Sequence, residues 1–278
     1  MEKKKRSFIF YVVTAALLAA GCHFSYMYAG AITDSVIMTL TDGAWPIGPF
    51  AILAAVIWAL AYRYSKKNRS IFKGFFNFGN TGKAFLLILP VLAYAIISNI
   101  RNFRNPSITP EVLASALYAG ICEDITWRAL PLTQMMKSDE LNDRRLMLAL
   151  ILPAAGFGCI HLNNIAAGSS VSFVLLQVLQ TFGIGLLFGA VYLRTGDMTM
   201  LFAAHILNDL LSFMGQTEGT IGVFESLTVD ASLIFDIAFS VFAIAYAFWL
   251  VRKSRRPEIL SLWDGRWSRD NITESAQD

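Results

Sequence analysis

Seven ionisable side chains of this chain fall inside apolar stretches: Glu123, Asp124, Arg128, His161, His205, Asp209 and Asp236. A charge in such a place costs several kcal/mol unless it is paired or lines a wet cavity, so each is a candidate for function. In the run from Ile121 to Arg128, Asp124 precedes Arg128 by four positions, the favourable order for an ion pair along one helix. Glu123 projects about 100° away from Asp124 on an ideal helix. It is therefore free to face another neighbour and to take and return a proton as a general base. His205 and Asp209 are also four apart, so imidazole and acid can point the same way. His161 would come from a third helix. Together Glu123, His161, His205 and Asp209 could cage a polarised water, with or without a metal ion; zinc is the candidate, with these four as its ligands.

Plainer readings exist for each group. Asp124 with Arg128 could be a purely structural pair. An intramembrane histidine often serves only as a hydrogen-bonding group between helices, and Asp236 invites the same reading. Cys159 lies two residues before His161, but residues two apart on a helix point to nearly opposite sides, which argues against a cysteine-histidine nucleophile. Cys22, Cys122 and Cys159 all sit in apolar runs and read as small buried hydrophobes. Gly183, Gly185 and Gly189 predict a close-packing helix face.

Three spacings taken together resemble the motif set of the CAAX-processing and bacteriocin-processing (CPBP, or Abi) intramembrane proteases. That pattern is EExxxR, then FxxxH, then HxxxN or HxxxD on successive helices. Here it reads Glu123-Asp124-x3-Arg128, Phe157-x3-His161 and His205-x3-Asp209, within about residues 111–214. The resemblance implies that Glu123 activates a water and that His161 helps to position it. It further implies that His205 and Asp209 complete the water site and stabilise the oxyanion, while Asp124 and Arg128 orient Glu123. Two departures stand out. Asp124 replaces the usual second Glu, and Asp209 stands where Asn is common, so it must be protonated, orient His205 or ligate a metal.

These residues need helices to carry them. Of 278 residues, 55% are hydrophobic and 15% charged, and the mean hydropathy is +0.52. That composition predicts an all-α, polytopic membrane protein and gives no sign of nucleic-acid binding. Apolar runs at about 8–31, 45–62, 84–100, 111–135, 146–162, 171–193, 198–214 and 231–251 predict a bundle of about eight transmembrane helices. The chain reads as one membrane-embedded domain, 1–278, with 111–214 as its catalytic core.

Placing both termini in the cytoplasm puts 20 of the 23 Lys and Arg inside, which the positive-inside rule favours for a bacterial plasma-membrane protein. Met1 to Cys22 also resembles a lipoprotein signal with Cys22 as the lipidated residue, although apolar sequence runs on past it. The basic, Phe-rich stretch 66–83 and the stretch 252–267, with Trp263 and Trp267 as anchors, are expected at the membrane interface.

The leading expectation is an endopeptidase that cuts a membrane-associated protein or peptide, with membrane lipids as its surroundings and a sensor kinase or peptide-signalling system as a candidate partner. A non-proteolytic membrane interaction protein, serving bacteriocin immunity or a sensor kinase, is the alternative. A proton-coupled transporter is a third reading, weakened by the absence of a visible inverted repeat.

Overall fold

The computed structural model describes residues 7–40, 75–137, 141–166, 168–215 and 231–274. Among these the secondary structure is entirely helical. The run expected to form a second span, 45–62, lies outside the described residues, as do the first half of the basic stretch 66–83 and the side chain of Trp267.

Helix α1 (Phe8–Leu40) runs nine residues past its expected end. Helix α2 (Thr81–Ser98) follows a short 3-10 turn. Next comes α3 (Pro110–Tyr118), whose start is legible in sequence: the Thr109 hydroxyl accepts from Val112 N at 3.3 Å, and Pro110 takes the first helical position. The chain continues without a break through Ala119–Glu123 and Ile125–Ala129, both π-helical, into α4 (Leu130–Met136). Asn142 caps α5 (Asp143–Ile160) by accepting from Arg145 N at 3.1 Å. After the short α6 (Asn163–Ala166), Ser170 caps α7 (Val171–Thr195) by accepting from Phe173 N. Then follow α8 (Thr199–Phe213), α9 (Ala231–Leu250) and α10 (Arg256–Glu274).

Helix α7 is the spine. Every residue from Gly185 to Thr195 is buried, as expected of a helix with neighbours on all sides. Its glycines admit those neighbours. A methyl at Gly183 would come within 3.0 Å of the Ser240 carbonyl on α9, one at Gly185 within 3.3 Å of Ala154 on α5, and one at Gly189 within 3.0 Å of Leu150. Gly185 and Gly189 form the predicted close-packing face, against α5, while Gly183 packs on another side, against α9. Around this spine the outer faces of α2 and α9 carry exposed Phe85, Leu86, Ile234, Val241, Phe242 and Trp249. Such an apolar exterior suits lipid rather than water. Four described helical stretches, 78–98, 143–166, 171–195 and 231–250, are long and apolar enough to cross a membrane, and the protein is a multi-pass membrane protein.

Asp236 is a packing residue. It accepts from the Tyr94 hydroxyl at 2.9 Å, and Gln180 donates to the same hydroxyl at 3.2 Å, tying α9, α2 and α7 together.

The end of α7 departs from expectation. Gly196 takes a left-handed conformation (φ 65°) and turns the chain toward α8. The carbonyls exposed there are satisfied from elsewhere. Trp263 Nε1 donates to Leu193 O at 3.0 Å, Arg266 to Gly196 O at 2.7 Å, and Asn77 and Asn80 both donate to Thr195 O. Trp263 is fully buried against Tyr192 and Phe75 is 1% exposed. Neither is the lipid-interface anchor that an aromatic residue among basic ones suggests. For Trp263 the reason is that α10 folds back on the bundle and brings the indole N–H to a carbonyl at the end of α7. The cysteines also depart in part from the reading as buried hydrophobes, since Cys122 is buried, Cys22 intermediate and Cys159 exposed.

Candidate active site

The π-helical winding lies on the acidic motif itself, with Glu123 closing one π segment and Arg128 inside the other. The projection expected from an ideal α-helix therefore does not apply. A π-helix closes its hydrogen bonds over five residues instead of four, which widens each turn and often marks a functional stretch. Asp124 and Arg128 still meet as an ion pair, and both are buried, 0% and 2% exposed.

Helix α8 is brought against this stretch at Gly120. A methyl there would lie 2.8 Å from Ile206 N and 3.1 Å from Ile206 Cα, so only glycine allows the two backbones to come so close. His205, the residue before Ile206, is thereby presented to both acids. Its Nδ1 lies 3.1 Å from Asp124 Oδ1, and its Nε2 lies 3.8 Å from Glu123 Oε2 and 3.5 Å from Asp209 Oδ2. A carboxylate can only accept, so Nδ1–H donates to Asp124, and Nε2 is the ring nitrogen turned toward Glu123 and Asp209. Asp124 thus holds His205 as well as Arg128. Gly120 lets α8 come near enough for the imidazole to reach Asp124.

Arg128 is held largely by ring faces. Its guanidinium carbon lies 4.1 Å from the centre of the Phe157 ring and 4.8 Å from that of Phe188, a cation between two π faces. Its Nη1 is 3.5 Å from His205 Nδ1, but both are donors when Asp124 accepts from the imidazole, so Asp124 Oδ1 is the shared acceptor between them. Nε and Nη2 of Arg128 have no hydrogen-bond partner among the described residues.

His161 caps the C-terminal end of α5, and its Nδ1 donates to Phe157 O at 2.9 Å. That bond leaves Nε2 as the accepting nitrogen. The Phe157 ring stands between the two imidazoles, 4.9 Å from His161 and 6.2 Å from His205, edge-on to both. His161 is in electrostatic range of His205 and Arg128. Glu123, Asp124, Arg128, His205 and Asp209 are in direct sequence of contact, whereas His161 joins them through Phe157. Asn208 donates to Asp209 Oδ1 at 3.2 Å and fixes that carboxyl.

Exposure falls off in one direction: Glu123 is 25% exposed, Asp209 15%, and Asp124 and Arg128 almost nothing. Access is from the Glu123 side. Among the described residues no three His, Cys, Asp or Glu side chains are grouped to share a metal ion. The donor set does not fit the zinc expectation, and no step below runs through a metal.

Sequence reasoning left out His23. It is buried on α1, with its ring 5.6 Å from that of Trp127, and it lies in electrostatic range of His161. All three histidines of the chain are therefore near one another. The signal that flagged the other two, an imidazole in an apolar run, applied equally to this one.

With this geometry in place, the comparison with known families is specific. Residues 105–211 match the family model described as type II CAAX prenyl endopeptidase Rce1-like. The matched stretch contains all three motifs and supports the resemblance they carry, and the family it matches is one of peptide hydrolases. No curated protein and no solved structure matches this chain.

Proposed function

We propose that this protein is an intramembrane endopeptidase that hydrolyses a peptide bond of a membrane-associated protein or peptide, using water activated by Glu123. The approach of Glu123 Oε2 to 3.8 Å from His205 Nε2, with Asp124 anchoring the opposite ring nitrogen, carries this reading. The gap is too long for a strong direct bond and leaves room for a water bonded to both from one side.

In the first step Glu123 takes a proton from that water as the water oxygen bonds to the substrate carbonyl carbon, and the carbonyl electron pair moves onto its oxygen. His161, with Nδ1 tied to Phe157 O and its ring against the Phe157 ring that also meets His205, braces this side of the site. His205 in its imidazolium form directs Nε2–H at the new oxyanion. Asp124 and Asp209 flank the two ring nitrogens and balance that charge. In the second step the oxyanion collapses, the carbon–nitrogen bond breaks, and Glu123 returns its proton to the departing amine. One water is consumed, and a carboxylic acid and an amine are released.

The test is comparative peptidomics of membranes carrying the wild-type and Glu123→Gln proteins at equal expression. The amide keeps the shape and removes the base. Fragments present with the wild type and lost with the variant are expected; identical fragment sets would overturn the proposal.

A further inference from the structure

The accessible side of the site holds one aromatic ring whose polar atom has nothing to bond. Trp127 lies one turn from Glu123 on the same π-helical stretch and is partly exposed, as Glu123 is. Its Nε1 is covered, yet it has no hydrogen-bond acceptor among the described residues. A covered indole N–H nearly always finds a partner, because leaving it bare costs about 1–3 kcal/mol.

The ring is also held firmly. Gly156 on α5 lets Cζ3 and Cε3 lie against the backbone, where a methyl would come within 3.0 and 3.3 Å of them. Those carbons are on the far side of the indole from Nε1, so the N–H edge is turned away from α5. His23 braces the ring from α1, 5.6 Å away at an interplanar angle of 59°. Two helices thus fix the ring four residues along the stretch from Glu123, with its single donor unspent among the described residues.

We propose that Trp127 is a substrate-positioning residue: its indole N–H donates to a main-chain carbonyl of the bound peptide near the bond to be cut, while His23 and Gly156 hold the ring in place. This inference rests on the proteolytic reading and extends it to a named contact with the peptide backbone. A main-chain carbonyl is the acceptor that every peptide substrate offers, whatever its side chains.

The experiment uses the full chain in lipid nanodiscs and an internally quenched peptide built on a cleavage sequence found by peptidomics. Trp127→Phe keeps a ring and removes the N–H. Replacement of Trp127 by 3-benzothienylalanine, with sulfur in place of N–H, keeps the shape almost unchanged. Both are expected to raise KM about three- to tenfold, with kcat altered less than about twofold and with unchanged thermal melting of the benzothienyl protein. An unchanged KM in the benzothienyl protein would overturn the inference, as would a loss confined to kcat. Glu123→Gln in the same assay separates the two levels. Cleavage that survives in Glu123→Gln overturns the proteolytic reading and this inference with it, whereas cleavage lost there but insensitive to the indole N–H overturns the inference alone.

Discussion

His205 Nδ1 lies 3.1 Å from Asp124 Oδ1, and the same oxygen faces the guanidinium of Arg128. One buried carboxylate oxygen therefore holds both the imidazole of the third motif and the cation of the first. This contact decides which ring nitrogen is available for chemistry, because a proton committed to Asp124 leaves Nε2 toward Glu123. Asp124→Asn should damage both tasks. Its amide keeps the shape but removes the charge that balances the imidazolium, and loss of such electrostatic support costs about 10²–10³-fold in kcat. We expect a fall in kcat of at least about 100-fold. Uncompensated Arg128 should also lower stability by about 3–5 kcal/mol. Single-turnover kinetics and thermal melting in detergent measure the two effects, and near-normal kcat would show that the contact does not support the imidazolium.

Gly120 offers a test of distance rather than of chemistry. A methyl there meets the backbone of Ile206, so Gly120→Ala must push α8 away from the acidic motif and lengthen the gap between Glu123 and His205. Activity should drop at least about tenfold, since a displacement near 1 Å can cost about 100-fold. Gly82→Ala is the control: it adds the same methyl where nothing lies within 4 Å. Equal activity of the two variants would show that the close approach is dispensable.

Trp263 should behave as a core residue. Truncation to Ala removes a fully buried ring and leaves the Leu193 carbonyl without its donor. The expected loss is about 3–5 kcal/mol, read as a marked fall in melting temperature. A residue merely resting at the lipid surface would give a small change.

Lys83 and Glu258 form a peripheral clasp between α2 and α10, with the ammonium 3.0 Å from the carboxylate. The hydrogen bond from Lys83 holds the Glu258 carboxyl below its ordinary range. A depressed folded value means that the contribution is present above the unfolded value, near 4.3, and fades as pH falls through the folded one. Both partners are well exposed, so its size is at most about 1 kcal/mol and sensitive to salt. Glu258→Gln should cost little at pH 7 and nothing at pH 3, as followed by melting over that interval; a cost that grew on acidification would contradict the sign.

Much of the site is legible in sequence because burying charge in lipid leaves few reasons for Glu123, Asp124, Arg128, His161, His205 and Asp209 to be there. Their pairing across helices is less legible. Asp124 and Arg128 can be matched along one helix by spacing, but the bond from Asp124 to His205 depends on how closely α8 approaches, and that is set by Gly120, a residue that carries no chemistry. The π winding leaves no mark in hydrophobic periodicity over so short a stretch. Trp263 misleads for a related reason: aromatic residues among arginines look alike whether they rest on lipid or, as here, fold back onto a helix end.

The π winding of residues 119–129 has one more consequence. Each of its hydrogen-bonded rings takes in one residue more than an α-helical ring does, so the stretch carries surplus length as well as particular side chains. Deleting a single amino acid here would let the coil tighten into ordinary α-helix: the helix beyond could keep its place, while the residues within the stretch would lose their present alignment with α8. Shortening this segment by one would therefore disable the site even with every motif residue kept.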